Sequence, residues 1–216
     1  VIEQSFSTVF THALQGHPTD VVGLDDTPGA LPVDTWRQAA DEHDRRMLDL
    51  CHGPTIDVGC GPGRMVAALV ERGVPALGID VVPEAVRLTR ARGVPALELD
   101  VFGSVPDEGT WGTALLADGN VGIGGDPVAL LARLRDLVAP AGRIVAELAA
   151  PGVATRNMWA TIECAESRSR RFRWAVQGVD DVDTLARRTG LRVRSTATFG
   201  GRWCVVLTRT SARPVR

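Results

Sequence analysis

The most regular feature of the 216-residue chain is a repeated alternation. A short apolar run closes on an acid, a turn follows, and a segment with apolar residues three and four apart comes next. Thr55-Ile56-Asp57-Val58, Ala76-Leu77-Gly78-Ile79-Asp80, Ala96-Leu97-Glu98-Leu99-Asp100 and Ala114-Leu115-Leu116-Ala117-Asp118 are four such runs. Runs this short and this apolar read as strands buried on both faces of a parallel sheet. Met65, Ala68, Leu69 and Arg72 repeat at helical spacing, and Gly73 stops that helix. Pro83 opens a second helix that ends at Gly93. Asp126 and Pro127 open a third, with Leu130, Leu131, Leu134, Leu137 and Val138 as its buried stripe. Arg143–Leu148 reads as a fifth strand. The Gly- and Pro-containing stretch from Phe102 to Trp111 leaves little room for a crossover helix. Such alternation calls for a parallel sheet with right-handed crossovers. After a short helix from Asp181 to Thr189, two apolar-patterned runs flank Gly200-Gly201-Arg202 and predict a hairpin.

The pattern is weaker elsewhere. Val1 to Pro32 is irregular, with room for a short helix around Ser7–Leu14. Asp34 to Cys51 predicts one helix, capped by Asp34, with Trp36, Ala40, His43, Met47 and Cys51 on its apolar face. Asp41, Asp44 and Arg45 are then expected to lean outward. Between Pro151 and Gly178, Met158, Trp159 and Ile162 suggest a helix. Arg168, Arg170, Arg171 and Arg173, interleaved with Phe172 and Trp174, suggest a strand with arginines on one face.

The first acid-bearing run continues as Gly59-Cys60-Gly61-Pro62-Gly63-Arg64. Glycines at alternate positions between strand and helix permit positive φ and close approach of a ligand. The helix N-terminus beyond them offers unpaired N–H groups. A dinucleotide fold would place a small residue where Arg64 stands. The pattern D-x-G-x-G-x-G, with Asp80, Asp100 and Asp118 each closing a later strand, instead resembles the class I S-adenosylmethionine-dependent methyltransferases. The resemblance covers roughly Thr55 to Pro151. It implies a three-layer α/β/α sandwich around a seven-stranded, mostly parallel sheet that ends in an antiparallel hairpin. It divides the chain into an N-terminal arm and covering helix (1–52), a cofactor-binding core (53–150), a substrate-side insert (151–178) and a C-terminal helix and hairpin (179–216), all of one domain.

The resemblance also implies site roles. Asp57, Gly59, Cys60 and Gly61 would hold the methionine part of S-adenosylmethionine, with S-adenosylhomocysteine as product. Asp80 with Val81 would take the ribose hydroxyls, and Asp100 with Val101 the adenine edge. Asp118 would also bind the cofactor and, with Asn120 in the segment beside the reacting methyl, would orient the acceptor. His43 is either a packed core histidine or a general base, with His12 and His17 behind it. The same segment lacks the Asn/Asp-Pro-Pro-aromatic motif of amino-methyltransferases, the Pro-Cys nucleophile of cytosine C5 enzymes and the Asp-Asn pair of magnesium-dependent ones. Neither covalent catalysis nor a metal is therefore expected.

Composition narrows the partners. The formal net charge of -2 hides an uneven spread. Up to Ser167 there are 12 Arg against 23 acids, and from Arg168 onward 12 Arg against 3. The basic C-terminal third is a solvated face, a fork for a carboxylate or phosphate on a small acceptor, or a nucleic-acid surface. One interleaved stretch in a mildly acidic chain supports the last poorly, so a small-molecule acceptor is expected, with RNA or protein methylation and a non-catalytic cofactor binder as the alternatives. No apolar run approaches membrane-spanning length, and the first residues carry no signal-peptide pattern. Cysteines at 51, 60, 164 and 204 form no C-x-x-C pair, which argues against a zinc site or a disulfide framework and for a reducing cytoplasm. Nothing in the sequence speaks to oligomeric state.

Overall fold

A computed structural model describes residues 1–24 and 27–210. The last part of the expected C-terminal segment, 211–216, lies outside the described residues. In chain order the elements begin with β1 (Ile2–Gln4), α1 (Phe6–Leu14), β2 (Thr19–Val22), β3 (Gly29–Ala30), α2 (Val33–Arg37) and α3 (Glu42–Leu48). The alternating core follows as β4 (Thr55–Val58), α4 (Arg64–Glu71), β5 (Ala76–Asp80), α5 (Pro83–Ala91), β6 (Ala96–Glu98), β7 (Trp111–Leu116), α6 (Pro127–Leu137) and β8 (Val138–Leu148). Then come β9 (Arg156–Cys164), β10 (Ser167–Ser169), β11 (Phe172–Val176), α7 (Val182–Arg188), β12 (Leu191–Phe199) and β13 (Arg202–Arg209).

The main sheet has seven strands in the order β6-β5-β4-β7-β8-β13-β12. The first five are parallel, and β13 runs antiparallel to both β8 and β12. Every residue of β4 is buried, as a central strand covered on both faces requires. One face packs on α6 and α7 through Leu130, Leu134, Leu137 and Leu185. The other packs on α3 and α4 through Met47, Leu48, Met65 and Leu69. Asp126 caps α6 by accepting from the amides of Val128 and Ala129, with Pro127 at the first helical position. No helix lies between β6 and β7.

The remaining strands form a second sheet that the sequence pattern does not announce. Its order is β1-β10-β9-β2-β3, and β11 pairs with the first half of β9. Ile2 sits opposite Ser167 in a parallel pair, and Thr19 opposite Cys164 in an antiparallel one. The irregular arm is therefore three strands and a helix, and the helix expected near Met158 is strand β9. Its alternation of buried Ala160, Ile162 and Cys164 fits a pleated strand with one covered face. The arginine-bearing run is broken at Arg170–Arg171 into β10 and β11.

The single helix expected over Asp34–Cys51 is also two. Gln38 is extended, with ψ 174°, and ends α2. Asp41, not Asp34, caps α3 through a capping box: Asp41 accepts from the Asp44 amide, and Asp44 accepts from the Asp41 amide. The break turns the second helix, so Asp44 faces inward at 3% exposure rather than outward.

Candidate functional site

The C-terminal ends of the parallel strands, where open α/β sheets take ligands, meet the second sheet across a cavity of about 800 Å³. Its floor is the turn that follows β4. Gly59 and Gly61 have φ of +72° and +52°, values that L side chains adopt only under strain. The space beside the Gly61 Cα is open, and Gly61 lines the cavity. A Cβ at Gly59 would strike the Asn120 amide. That amide donates to the carbonyls of Val58 at 3.0 Å and Gly59 at 2.9 Å. Asn120 thus ties the segment after β7 to the turn after β4.

Three acids stand along the rim. Asp80 accepts from the Gly61 amide at 3.0 Å and the Val82 amide at 2.9 Å, so it braces the turn against the start of α5. Burial raises its pKa while these amides oppose the rise. Asp100 accepts from the Phe102 amide and is otherwise exposed. Asp118 adopts φ +53° and is gripped by Arg64 through two bonds of 2.6 and 2.8 Å. Val81, Leu99, Val101 and Ile123 form apolar walls between the acids. Cys60 also lines the cavity, and burial pushes its thiol well above the ordinary range.

The sequence reading missed the charge network that holds this end together. Arg64, 6% exposed, spends two further bonds on Asp44, at 2.9 and 3.0 Å. Arg202, at the start of β13, joins Asp44, Asp118 and the paired oxygens of Glu147 on β8. Glu147 in turn accepts from the Asp118 amide. Two arginines and three acids therefore link α3, α4, β8, β13 and the end of β7. Arg64 has four of its five N–H donors engaged, which leaves little for an anionic ligand. Asp44 is held down to about 2: burial alone would raise it, and the bonds from Arg64 and Arg202 outweigh that. The only sequence signals were Arg64 directly after the last glycine and the Asp41-x-x-Asp44 capping pattern.

Four of the residues considered for the site do not line the cavity. His43 does not line the cavity. Its ring packs on Gly200 in the turn between β12 and β13, and its Nδ1 is buried with no partner. The break before α3 places it on that turn rather than on the cavity lining. His12 and His17 pack edge to face against each other and also lie outside the lining. Asp57 is fully buried, one residue ahead of the lining, and its Oδ2 has no partner. Burial pushes it up to about 7; Asp118, Asp80 and Asp44 add to the rise and Arg64 opposes it. Gly59, Cys60, Gly61, Asp80, Val81, Asp100, Val101, Asp118 and Asn120 all line the one cavity.

The segment after β7 is rich in glycine, at 119, 122, 124 and 125. Two of these are packing devices. A Cβ at Gly122 would collide with the Ala175 carbonyl and the Trp174 ring, and one at Gly125 with Arg173. These two glycines let β11 lie directly on the main sheet's loop.

No protein-family model and no curated protein sequence matches the chain. Solved structures do. A methyltransferase from Bacteroides fragilis, determined with S-adenosyl-L-homocysteine, aligns over 95% of this chain and 93% of its own, with TM-score 0.76 and 19% identity. The 1,6-didemethyltoxoflavin-N1-methyltransferase of Burkholderia thailandensis covers 83% of this chain and 82% of its own at TM-score 0.62 and 17% identity. The CcbJ methyltransferase of Streptomyces caelestis covers 87% and 94% at TM-score 0.62 and 14% identity. The fold of this chain is that of the class I S-adenosylmethionine-dependent methyltransferases.

Proposed function

We propose that the chain is an S-adenosylmethionine-dependent methyltransferase acting on a heteroatom of a small molecule, without a metal. The observation that carries this is the polar end of the cavity: an open glycine turn with Asp80, Asp100 and Asp118 in series around it. The residues present fit the cofactor. Gly61 leaves room for close backbone approach. Asp80 keeps lone pairs beyond its two amide bonds for a ribose diol. Asp100 has one oxygen free of the Phe102 amide for an adenine amino edge, and Val101 and Leu99 flank it. The net charge of the Asp44–Arg64–Asp118–Arg202–Glu147 network is negative by one, which suits a cationic ligand end.

When bound, the cofactor supplies a methyl carbon made electrophilic by sulfonium, with a neutral thioether as leaving group. What this chain adds is position. Asn120 and Asp118 are positioning residues in this reading: the first fixes the turn, and the second is itself fixed by Arg64. Asp57 acts from behind the turn and does not touch the ligand. Among the described residues, no group of three or more His, Cys, Asp or Glu is placed to hold a metal ion. Turnover that survives a chelator is the expected result.

The test is calorimetry with S-adenosylmethionine, S-adenosylhomocysteine and NAD. Micromolar binding of the first two and none of NAD is expected. Binding of NAD alone would overturn the reading.

A further inference from the structure

The cavity has a second end that the cofactor reading leaves unassigned. It is walled by Phe6 and Phe10 of α1, Trp36 of α2, and Phe172 and Trp174 of β11. These are five of the chain's ten aromatic residues. They touch in sequence. Trp36 and Phe10 lie 6.0 Å apart with planes 29° from parallel, Phe10 and Phe6 5.3 Å apart at 22°. Phe6 then meets Phe172 edge-on at 4.8 Å, and Phe172 meets Trp174 edge-on at 6.3 Å. The result is one continuous band of rings across the roof, each fixed by its neighbours. The rest of that wall is aliphatic, including Val21, Leu31 and Ile162.

Its polar content is as telling. Among the described residues of this end there is no carboxylate, histidine or tyrosine, and the chain has no Tyr at all. The charged group here is Arg173, whose guanidinium stands 6.0 Å from the Trp159 ring. A sugar-like acceptor would surrender its hydroxyl bonds to water and find no partners. Flat apolar rings gain both burial and offset or edge-on ring contacts.

We propose that the acceptor held against these rings is a planar, largely apolar aromatic compound. This rests on the cofactor assignment above.

The experiment titrates the full chain, first with S-adenosylhomocysteine and then, once saturated, with two probes by calorimetry. The probes are 2-naphthol and its saturated counterpart decahydro-2-naphthol. 2-Naphthol is expected to bind at least tenfold more tightly than the saturated alcohol. Phe172→Leu keeps the wall apolar and should cost 2-naphthol tenfold or more while leaving S-adenosylhomocysteine affinity within twofold. Phe10→Leu repeats the test should the first variant fail to fold. With S-adenosylhomocysteine bound, equal affinity for the flat and the saturated alcohol overturns the acceptor proposal alone. A loss of S-adenosylhomocysteine affinity equal to that of 2-naphthol in both variants also overturns it, since the rings would then serve the cofactor. Absence of S-adenosylhomocysteine binding by the unaltered chain overturns the cofactor reading and this proposal together.

Discussion

The two ends of the cavity are built on opposite principles. At the end formed by the main sheet, polar side chains are held in place by directed bonds: Asp80 to two amides, Asn120 to two carbonyls, Arg64 to two carboxylates. At the end formed by the second sheet, rings lean on rings and direction matters little. The first arrangement is specific and brittle, because removing one charge strands another in a dry place. The second is tolerant and graded, because apolar contact is lost in proportion to the atoms removed.

The sharpest way to break this contrast is Arg64→Ala. It leaves Asp44 buried with Arg202 alone and frees Asp118 from its grip. A loss of ~3–5 kcal/mol is expected, the cost of breaking one side of a buried pair. Chemical denaturation measures it; a loss below ~1 kcal/mol would mean that the network is no more than a surface ion pair.

Next in size is Asp80→Ala, which should weaken S-adenosylhomocysteine binding by roughly 1–3 kcal/mol. Calorimetry on the variant decides this, and unchanged affinity removes Asp80 from the ligand. Gly122→Ala tests the seam between the two ends. The added methyl meets the Ala175 carbonyl and the Trp174 indole, and overpacking of this kind costs ~1–3 kcal/mol. Because Trp174 belongs to the aromatic band, its fluorescence should shift as well. A variant with wild-type stability and spectrum would show that β11 can stand off from the loop at no cost.

The smallest effect separates two buried acids within the polar end. Asp44 is held down to about 2, so its contribution to stability is present above the ordinary carboxylate range and is lost only as pH falls through about 2. Asp57 has the opposite sign. The native state keeps its proton more tightly than the unfolded chain, so its contribution is full below the ordinary carboxylate range and gone once pH rises past about 7. Asp57→Asn removes that loss. At pH 8 the variant should be more stable by about 1 kcal/mol, a gain limited because the new amide is also unpartnered. For a chain of this length that is ~2–4 °C in Tm. The advantage should vanish near pH 4, and a variant less stable than the parent at pH 8 would mean that the carboxylate has a partner in solution.

What the sequence made legible divides along the same line. The main sheet and the polar end lie within one stretch, where strand, turn and acid follow each other at short range. Asp80, Asp100 and Asp118 could be placed because each closes its own apolar run. The second sheet pairs residues more than a hundred positions apart, such as Val21 with Ile162, and no local period encodes that choice. β9 shows the difficulty: Met158, Trp159 and Ile162 are spaced as a helix would have them, and pairing with β2 and β11 overrides the pattern. His43 lies outside the cavity lining for a local reason. A continuous helix from Asp34 would have pointed it inward, but the Asp41–Asp44 capping box starts a new helix and sends Asp44 inward instead. Arg64 was visible only as a residue that did not fit a dinucleotide pattern, and its two partners come from 20 positions upstream and 54 downstream.

The pairing of Ile2 with Ser167 has a consequence for the chain as it is made. Strand β1 emerges from the ribosome long before its partner exists. The alternating core from β4 to β8 can collapse on its own short-range contacts, with α1 against α5, while β1 waits and Phe6 lacks Phe172. The glycine turn and its acids are thus products of early synthesis, while the aromatic band closes only after β9, β10 and β11 have appeared and Arg202 joins the charge network last. A nascent chain halted between β8 and β9 would carry the glycine turn and its acids but no roof.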